Sequence, residues 1–248
     1  IYFQMCDFFK PFHKFKQLNF LYDQKRFYSY QEIANLIDER ALNLSRQQTT
    51  IKELIVPVET ENQFNFIIDI FAYWKIKKII LPLSKSSQLN SSMVTECQEI
   101  KSAAIVMMTS GSQGHPKFIV HSYESLFYSA MGSIEFYDMK SEEIFPLTLS
   151  PHHIGGLMII LRAFFSGGII HLSASNWKDL LSQKYDYVSL VPKQLKDILQ
   201  DEELIKNAKQ AKTLILGGAK LQLYEFNQAL NKDLPLSLSY GQTETCAQ

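Results

Sequence analysis

Two short segments of the chain carry residue types suited to nucleotide chemistry. The first runs Met108-Thr109-Ser110-Gly111-Ser112-Gln113-Gly114-His115-Pro116-Lys117-Phe118-Ile119-Val120. It follows the apolar run Ile105-Val106-Met107-Met108, which reads as the end of a buried strand. Thr109, Ser110 and Ser112 supply hydroxyl donors. Gly111 and Gly114 permit the positive φ that turns successive backbone N–H groups toward one point. Such a nest suits a polyphosphate, and Lys117 adds a positive charge just beyond it. Pro116 fixes the backbone ahead of that lysine. A Walker loop is excluded, because that motif needs Gly-Lys-Ser/Thr where Pro116, Lys117 and Phe118 stand. An ordinary polar turn between a strand and a helix would have the same composition, so the segment alone leaves both readings open.

The second segment is Tyr240-Gly241-Gln242-Thr243-Glu244. It offers a ring that can stack on a base, a small residue, a hydroxyl donor for a phosphate oxygen and a carboxylate oxygen for Mg²⁺. A helix start with a Thr cap and an acidic first turn has the same residues. His152-His153, ahead of Gly155-Gly156, is a further pair able to do chemistry. No third ligand lies near it in sequence, which argues against a metal site. His13, His115, His121 and His171 read as structural or surface residues, His121 the least settled of them.

These segments need strands and helices to position them. Residues 19–23 and 26–28 read as strands, and Ser29-Tyr30-Gln31-Glu32 is a capping box ahead of a helix that buries Ile33, Leu36, Ile37 and Leu44. Strand 54–58, helix 65–75 and strand 79–81 make a right-handed βαβ unit with parallel strands. The aromatic stripe of that helix, including Trp74, reads as core. Residues 84–92 are a polar loop. Helices follow at 123–131, 157–165, 193–200 and 222–230, and strands at 144–149, 169–172, 187–191, 213–216 and 236–239. Gly167-Gly168 ends the second of these helices. The expected fold class is α/β, with layered, largely parallel sheets flanked by helices and no internal repeats. Ligands of such sheets bind beyond the carboxyl ends of the strands. Residues 109–117, 151–157, 217–219 and 240–244 all fall there.

Composition bounds the function classes. The 248 residues are 46% hydrophobic, enough to bury one large or two small cores. Lysine plus arginine equal aspartate plus glutamate at 25 each, which argues against a nucleic-acid partner. No apolar run approaches the ~20 residues of a membrane span, since Asp69 and Arg162 interrupt the two candidates. Cys6, Cys97 and Cys246 are dispersed and odd in number, which suits a reducing, cytoplasmic setting and gives no disulfide framework. Ile1-Tyr2-Phe3-Gln4 ahead of Met5 reads as an expression-tag remnant, leaving 5–248 as the domain.

The first segment resembles the Thr-Ser-Gly-Ser/Thr-Thr-Gly-x-Pro-Lys-Gly loop of the adenylate-forming, or AMP-binding, superfamily. That superfamily contains acyl-CoA synthetases, luciferases and peptide-synthetase adenylation domains. Gln113 stands where the family usually has Thr, and Phe118 where it usually has Gly. The second segment is similar to the family's Tyr-Gly-x-Thr-Glu motif and follows Gly217-Gly218-Ala219 in the expected order. Ala72-Tyr73-Trp74-Lys75 with Pro82-Leu83 is similar to its Ala-x-Trp-Lys … Pro-Leu segment, with Lys77 in place of a usual Gly. The resemblance covers about residues 20–248 and is strongest after 105. Residues 119–123, 151–157, 189–195, 216–219 and 239–248 look like the o-succinylbenzoate–CoA ligase group of menaquinone biosynthesis.

The resemblance implies an N-terminal ATP- and acyl-binding domain, incomplete at its end, with a mobile C-terminal domain beyond Gln248. It implies an AMP-forming carboxylate–CoA ligase taking a small carboxylic acid, ATP, Mg²⁺ and CoA, and it allows a homodimer. Thr109, Ser110, Gly111, Ser112, Gln113, Gly114 and Lys117 would cradle the pyrophosphate. Gly217, Gly218 and Ala219 would form part of the adenine wall, with Tyr240 stacking and Gly241 beside it. Thr243 would meet the α-phosphate, Glu244 would hold Mg²⁺, and His153 would line the acyl and pantetheine tunnel. Two other readings remain at this point. One is an adenylating domain that passes an aryl or amino acid to a carrier protein. The other is a nucleotide-binding fragment without catalysis, which Gln113 and Phe118 would suit.

Overall fold

A computed structural model describes residues 5–47, 54–85, 87, 102–109, 117–172, 177–181 and 183–247. Helices α1 (Met5–Phe8) and α2 (Lys10–Lys14) precede strands β1 (Asn19–Tyr22) and β2 (Phe27–Ser29). Helix α3 (Tyr30–Gln47) leads to β3 (Ile55–Glu59), α4 (Gln63–Lys75) and β4 (Ile79–Leu83). Next come β5 (Ala103–Thr109), β6 (Lys117–Ser122), α5 (Tyr123–Tyr137) and β7 (Ile144–Pro146). Helix α6 (Ile154–Ser166), β8 (Ile169–His171) and the short α7 (Trp177–Leu180) follow. The last third holds β9 (Tyr187–Leu190), α8 (Pro192–Leu199), α9 (Glu202–Ala208), β10 (Thr213–Leu216), α10 (Leu223–Asn231) and β11 (Leu236–Leu238). A 3₁₀ turn at Thr243–Thr245 closes the described chain.

The strands of the described residues form three sheets, ordered β2-β1-β8-β7, β3-β4-β5-β6 and β11-β10-β9. Among the described residues, only the β1–β2 and β5–β6 pairs are antiparallel. The expected layered, largely parallel α/β architecture is therefore what the chain adopts. The parallel run β9, β10, β11 ends along one edge, because Gly217 N donates to Leu190 O (3.1 Å) and Ser239 N to Leu216 O (2.8 Å). Two of the expected candidate loops, 217–219 and 240–244, follow that edge.

Local signals act as their chemistry requires. Ser29 N donates to Glu32 Oε2 (2.8 Å) and Glu32 N to Ser29 Oγ (3.2 Å), completing the expected capping box. Gly167 ends α6 with φ +84°, a conformation that disfavours any side chain. Helix α4 buries Phe66, Ile67, Ile70, Phe71 and Trp74, and Trp74 Nε1 donates to Ala104 O (2.8 Å), tying α4 to β5. The main core is aromatic: Phe164 lies 4.7 Å, ring to ring, from both Phe12 and Phe71. Each such fully buried ring contributes about 2–3 kcal/mol.

The structure differs from the sequence reading at particular places. The chain after 116 enters strand β6, antiparallel to β5, before helix α5 begins. Helix α6 starts at Ile154, ahead of the expected 157, taking Gly155 and Gly156 into its first turn. Helices α1, α2, α7 and α9 were not expected. Among the described residues, no helix is long and apolar enough to cross a membrane.

Candidate active site

A cavity of about 760 Å³ opens where the carboxyl ends of β7, β9, β10 and β11 meet the start of α6. Its walls bring together His153, Gly217, Gly218, Gly241 and Thr243 from the residues singled out in the sequence. Each is placed by a strand end or a helix start. Gly217 and Gly218 follow β10, Gly241 and Thr243 follow β11, and His153 is the residue before α6.

Tyr240, Ala219 and Glu244 are sequence neighbours of these wall residues but do not line the cavity; all three are exposed, Tyr240 at 86%. A ring this open can lie against a planar ligand. Lys117 and Thr109 lie on the neighbouring hairpin, opposite one another in the β5–β6 ladder. Ser110, Gly111, Ser112, Gln113 and Gly114 lie outside the described residues. Phe118, at the position usual for Gly in the resembling family, packs, as Met108 and Val120 do, against the buried cluster that includes Ile79, Leu81 and Val106.

The two histidines have different surroundings. His152 Nδ1 lies 2.6 Å from Ser150 Oγ and 3.3 Å from Thr60 Oγ1, and its ring centroid is 4.2 Å from that of His153. Burial, and then the neighbouring His153, push its pKa down. His152 is thus pinned by hydroxyls, and His153 is the one on the cavity wall. The close approach of α6 to this segment depends on Gly156, where a Cβ would lie 2.3 Å from Ser150 O.

Sequence reading missed several wall residues. Thr148 Oγ1 donates to Ser189 O, and Gln194 Nε2 donates to Thr148 O (3.1 Å) while its Oε1 accepts from Val191 N (2.9 Å). This buried network fixes the floor between β7, β9 and α8. Trp177, Lys193 and Asp197 also line the cavity, Asp197 paired at 3.9 Å with Lys178.

Arg162 is the most consequential omission. It sits on α6, lines the cavity and is 4% exposed. Among the described residues its Nε has no hydrogen-bond partner and no carboxylate pairs with the guanidinium. Burial pulls its pKa down to about 10, so it is cationic at neutral pH. The signal was present in the sequence as a lone charge inside the apolar run Leu157–Phe165. Only the fold shows that this charge faces a cavity.

A family model for AMP-binding enzymes matches residues 84–248. The chain belongs to the AMP-binding enzyme family. The 2-succinylbenzoate–CoA ligase of Staphylococcus epidermidis is 35% identical over 154 residues, 60% of this chain and 32% of that protein. The chain spans about a third of the length of the curated relatives it matches. A solved o-succinylbenzoate CoA synthetase (MenE) from Bacillus subtilis, in complex with AMP, superimposes with a TM-score of 0.80 at 16% identity. That match covers 97% of this chain and 74% of that one. The N-terminal subdomain of Klebsiella oxytoca NpsA gives 0.82 at 16% identity, over 97% and 76%. These structural likenesses establish the fold of an AMP-binding enzyme's N-terminal part.

Proposed function

We propose that the protein containing this chain is an AMP-forming carboxylate–CoA ligase whose acid is 2-succinylbenzoate or a closely similar dicarboxylic acid. The observation that carries the acid class is Arg162, a buried cation on the cavity wall with no carboxylate partner among the described residues. A buried charge without a partner is costly, and a second carboxylate on the substrate would supply that partner. The acid's other carboxylate would then point toward Gly217, Gly241 and Thr243.

The reaction balances in two steps. The substrate carboxylate attacks the α-phosphorus of ATP, forming an acyl–phosphate bond and releasing pyrophosphate. The CoA thiolate then attacks the acyl carbon and releases AMP. The protein's part is positioning and charge neutralisation. Lys117 and Thr109, with the loop between them, would hold the pyrophosphate, and Thr243 would donate to the α-phosphate. Tyr240 would stack on adenine beside Gly217, Gly218 and Ala219, while His153 would line the path of acid and thiol.

Mg²⁺ would offset the charge of the phosphates when bound. Glu244 fits that duty, because its carboxylate is exposed beside Thr243. Among the described residues no group of three or more His, Cys, Asp or Glu can close around a metal. One carboxylate, with phosphate oxygens and waters, is what Mg²⁺ usually takes in such sites. The dispersed cysteines suit a cytoplasmic setting for such an enzyme.

The test is acid-dependent ATP–pyrophosphate exchange on the full-length protein, comparing 2-succinylbenzoate, benzoate and a fatty acid. Exchange with the dicarboxylic acid above the other two is expected. Equal exchange with benzoate would remove Arg162 as the acid's partner.

A further inference from the structure

The 3₁₀ turn after β11 is not self-sufficient. Inside it, Gln242 N donates to Thr245 Oγ1 (3.0 Å) and Thr245 N to Gln242 O (3.2 Å). The next two residues, Cys246 and Ala247, have φ of +60° and +74°. Left-handed backbone costs roughly 1–2 kcal/mol for each non-glycine residue. Such a pair persists where surrounding structure over-determines it.

Two side chains outside the turn supply that restraint. Ser129 on α5 donates from Oγ to Cys246 O at 2.8 Å. The His121 ring on β6 lies beside this turn, where the Thr243 backbone and the Glu244 charge act on it. His121 is 4% exposed, and its Nε2 has no hydrogen-bond partner among the described residues. The strand that holds His121 begins at Lys117 and runs directly into α5. One continuous unit therefore carries the lysine beside the loop and both restraints on the turn.

We propose that His121 and Ser129 are positioning residues that set Thr243 and Glu244 in place relative to Lys117. The functional part of this rests on the proposed reading that Thr243 and Glu244 meet the nucleotide. Neither side chain lines the cavity, so neither is assigned a contact with substrate. They act through the turn.

The test uses the full-length protein with Cys6 and Cys97 replaced by serine, leaving the buried Cys246 thiol as a reporter within the turn. With no ATP or metal present, His121→Leu and Ser129→Ala should each speed thiol-reagent labelling of Cys246 by about tenfold or more, through local opening. In pyrophosphate exchange, His121→Leu should lower kcat by about tenfold or more and raise the Mg²⁺ needed for half-activity. The KM for the acid should stay within about twofold. His121→Asn, which keeps an N–H donor, should recover much of both effects. If His121→Leu does not fold, Ser129→Ala decides by the same two readouts. Wild-type labelling and exchange in these variants would overturn the proposal, as would a loss spread equally over acid KM, Mg²⁺ dependence and kcat. If the wild type shows no exchange with any acid, the ligase reading fails, and the labelling rates alone decide whether these residues hold the turn.

Discussion

Thr109 and Lys117 face each other at the end of the β5–β6 ladder. Thr109 is the last residue of β5 and Lys117 the first of β6. The Lys117 side chain is exposed, so it contributes little to the core.

Lys117→Ala should therefore separate activity from stability. Loss of one charge-assisted contact to the transferring phosphates should reduce exchange about 10²-fold, equal to about 3 kcal/mol. The denaturation free energy should move by less than about 0.5 kcal/mol, as for surface changes generally. Steady-state exchange and urea unfolding of the same preparation check both halves.

Arg162 should behave in the opposite way. The fall of its pKa from 12.5 to about 10 corresponds to about 3 kcal/mol, since one unit equals ~1.4 kcal/mol. Arg162→Met should leave the unliganded fold as stable as the wild type or make it more stable, by up to about 3 kcal/mol. It should also remove the preference for a dicarboxylic acid over benzoate. Unfolding curves and relative kcat/KM for the two acids measure these outcomes.

His171 predicts a pH dependence. It lies buried beside Tyr22, Phe27 and Tyr185, and among the described residues neither ring nitrogen has a hydrogen-bond partner. Burial lowers its pKa from 6.5 to about 4. The folded form thus resists the proton that the unfolded chain accepts. Its contribution is complete above pH 6.5 and is lost as pH falls toward about 4, a difference of about 3 kcal/mol. His171→Phe should remove that part of the acid-side slope. Unfolding free energies at pH 7, 5 and 4 for both proteins give the comparison.

Gly156 carries a steric prediction. A Cβ there would meet the Ser150 carbonyl oxygen at 2.3 Å and the Leu149 carbonyl oxygen at 2.7 Å, both backbone atoms that cannot rotate away. Gly156→Ala should destabilise the fold by about 2 kcal/mol or more and displace His153 from the cavity wall. The urea midpoint, with the KM for the acid, would register both changes.

How far the sequence could be read depends on the range of the forces involved. The Ser29–Glu32 capping box and the Gly167 stop are local, and both formed as read. Strand–helix alternation after residue 140 was legible for the same reason, each element bearing its own apolar stripe. Strand β6 was not, because Lys117-Phe118-Ile119-Val120-His121 becomes a strand only through its ladder with β5, and a glycine-rich loop gives no hint of an antiparallel return. Helix α9 was missed although Asp201 caps it, accepting from Glu203 N and Leu204 N. Its polar sequence shows only a short apolar stripe. The positions of His153, Gly217, Gly218, Gly241 and Thr243 on one wall were foreseeable from strand ends. Arg162, His121 and Ser129 depend on contacts between residues more than eighty positions apart, which no local pattern encodes.

The most direct test of the ligase reading is to identify what the full-length protein makes from one equivalent of ATP and 2-succinylbenzoate. Mass analysis of the quenched, single-turnover mixture should reveal an acyl-adenylate and pyrophosphate. Added CoA should convert that adenylate to a thioester and AMP. Release of ADP and phosphate, or bound ATP that stays intact with every acid tried, would contradict the account.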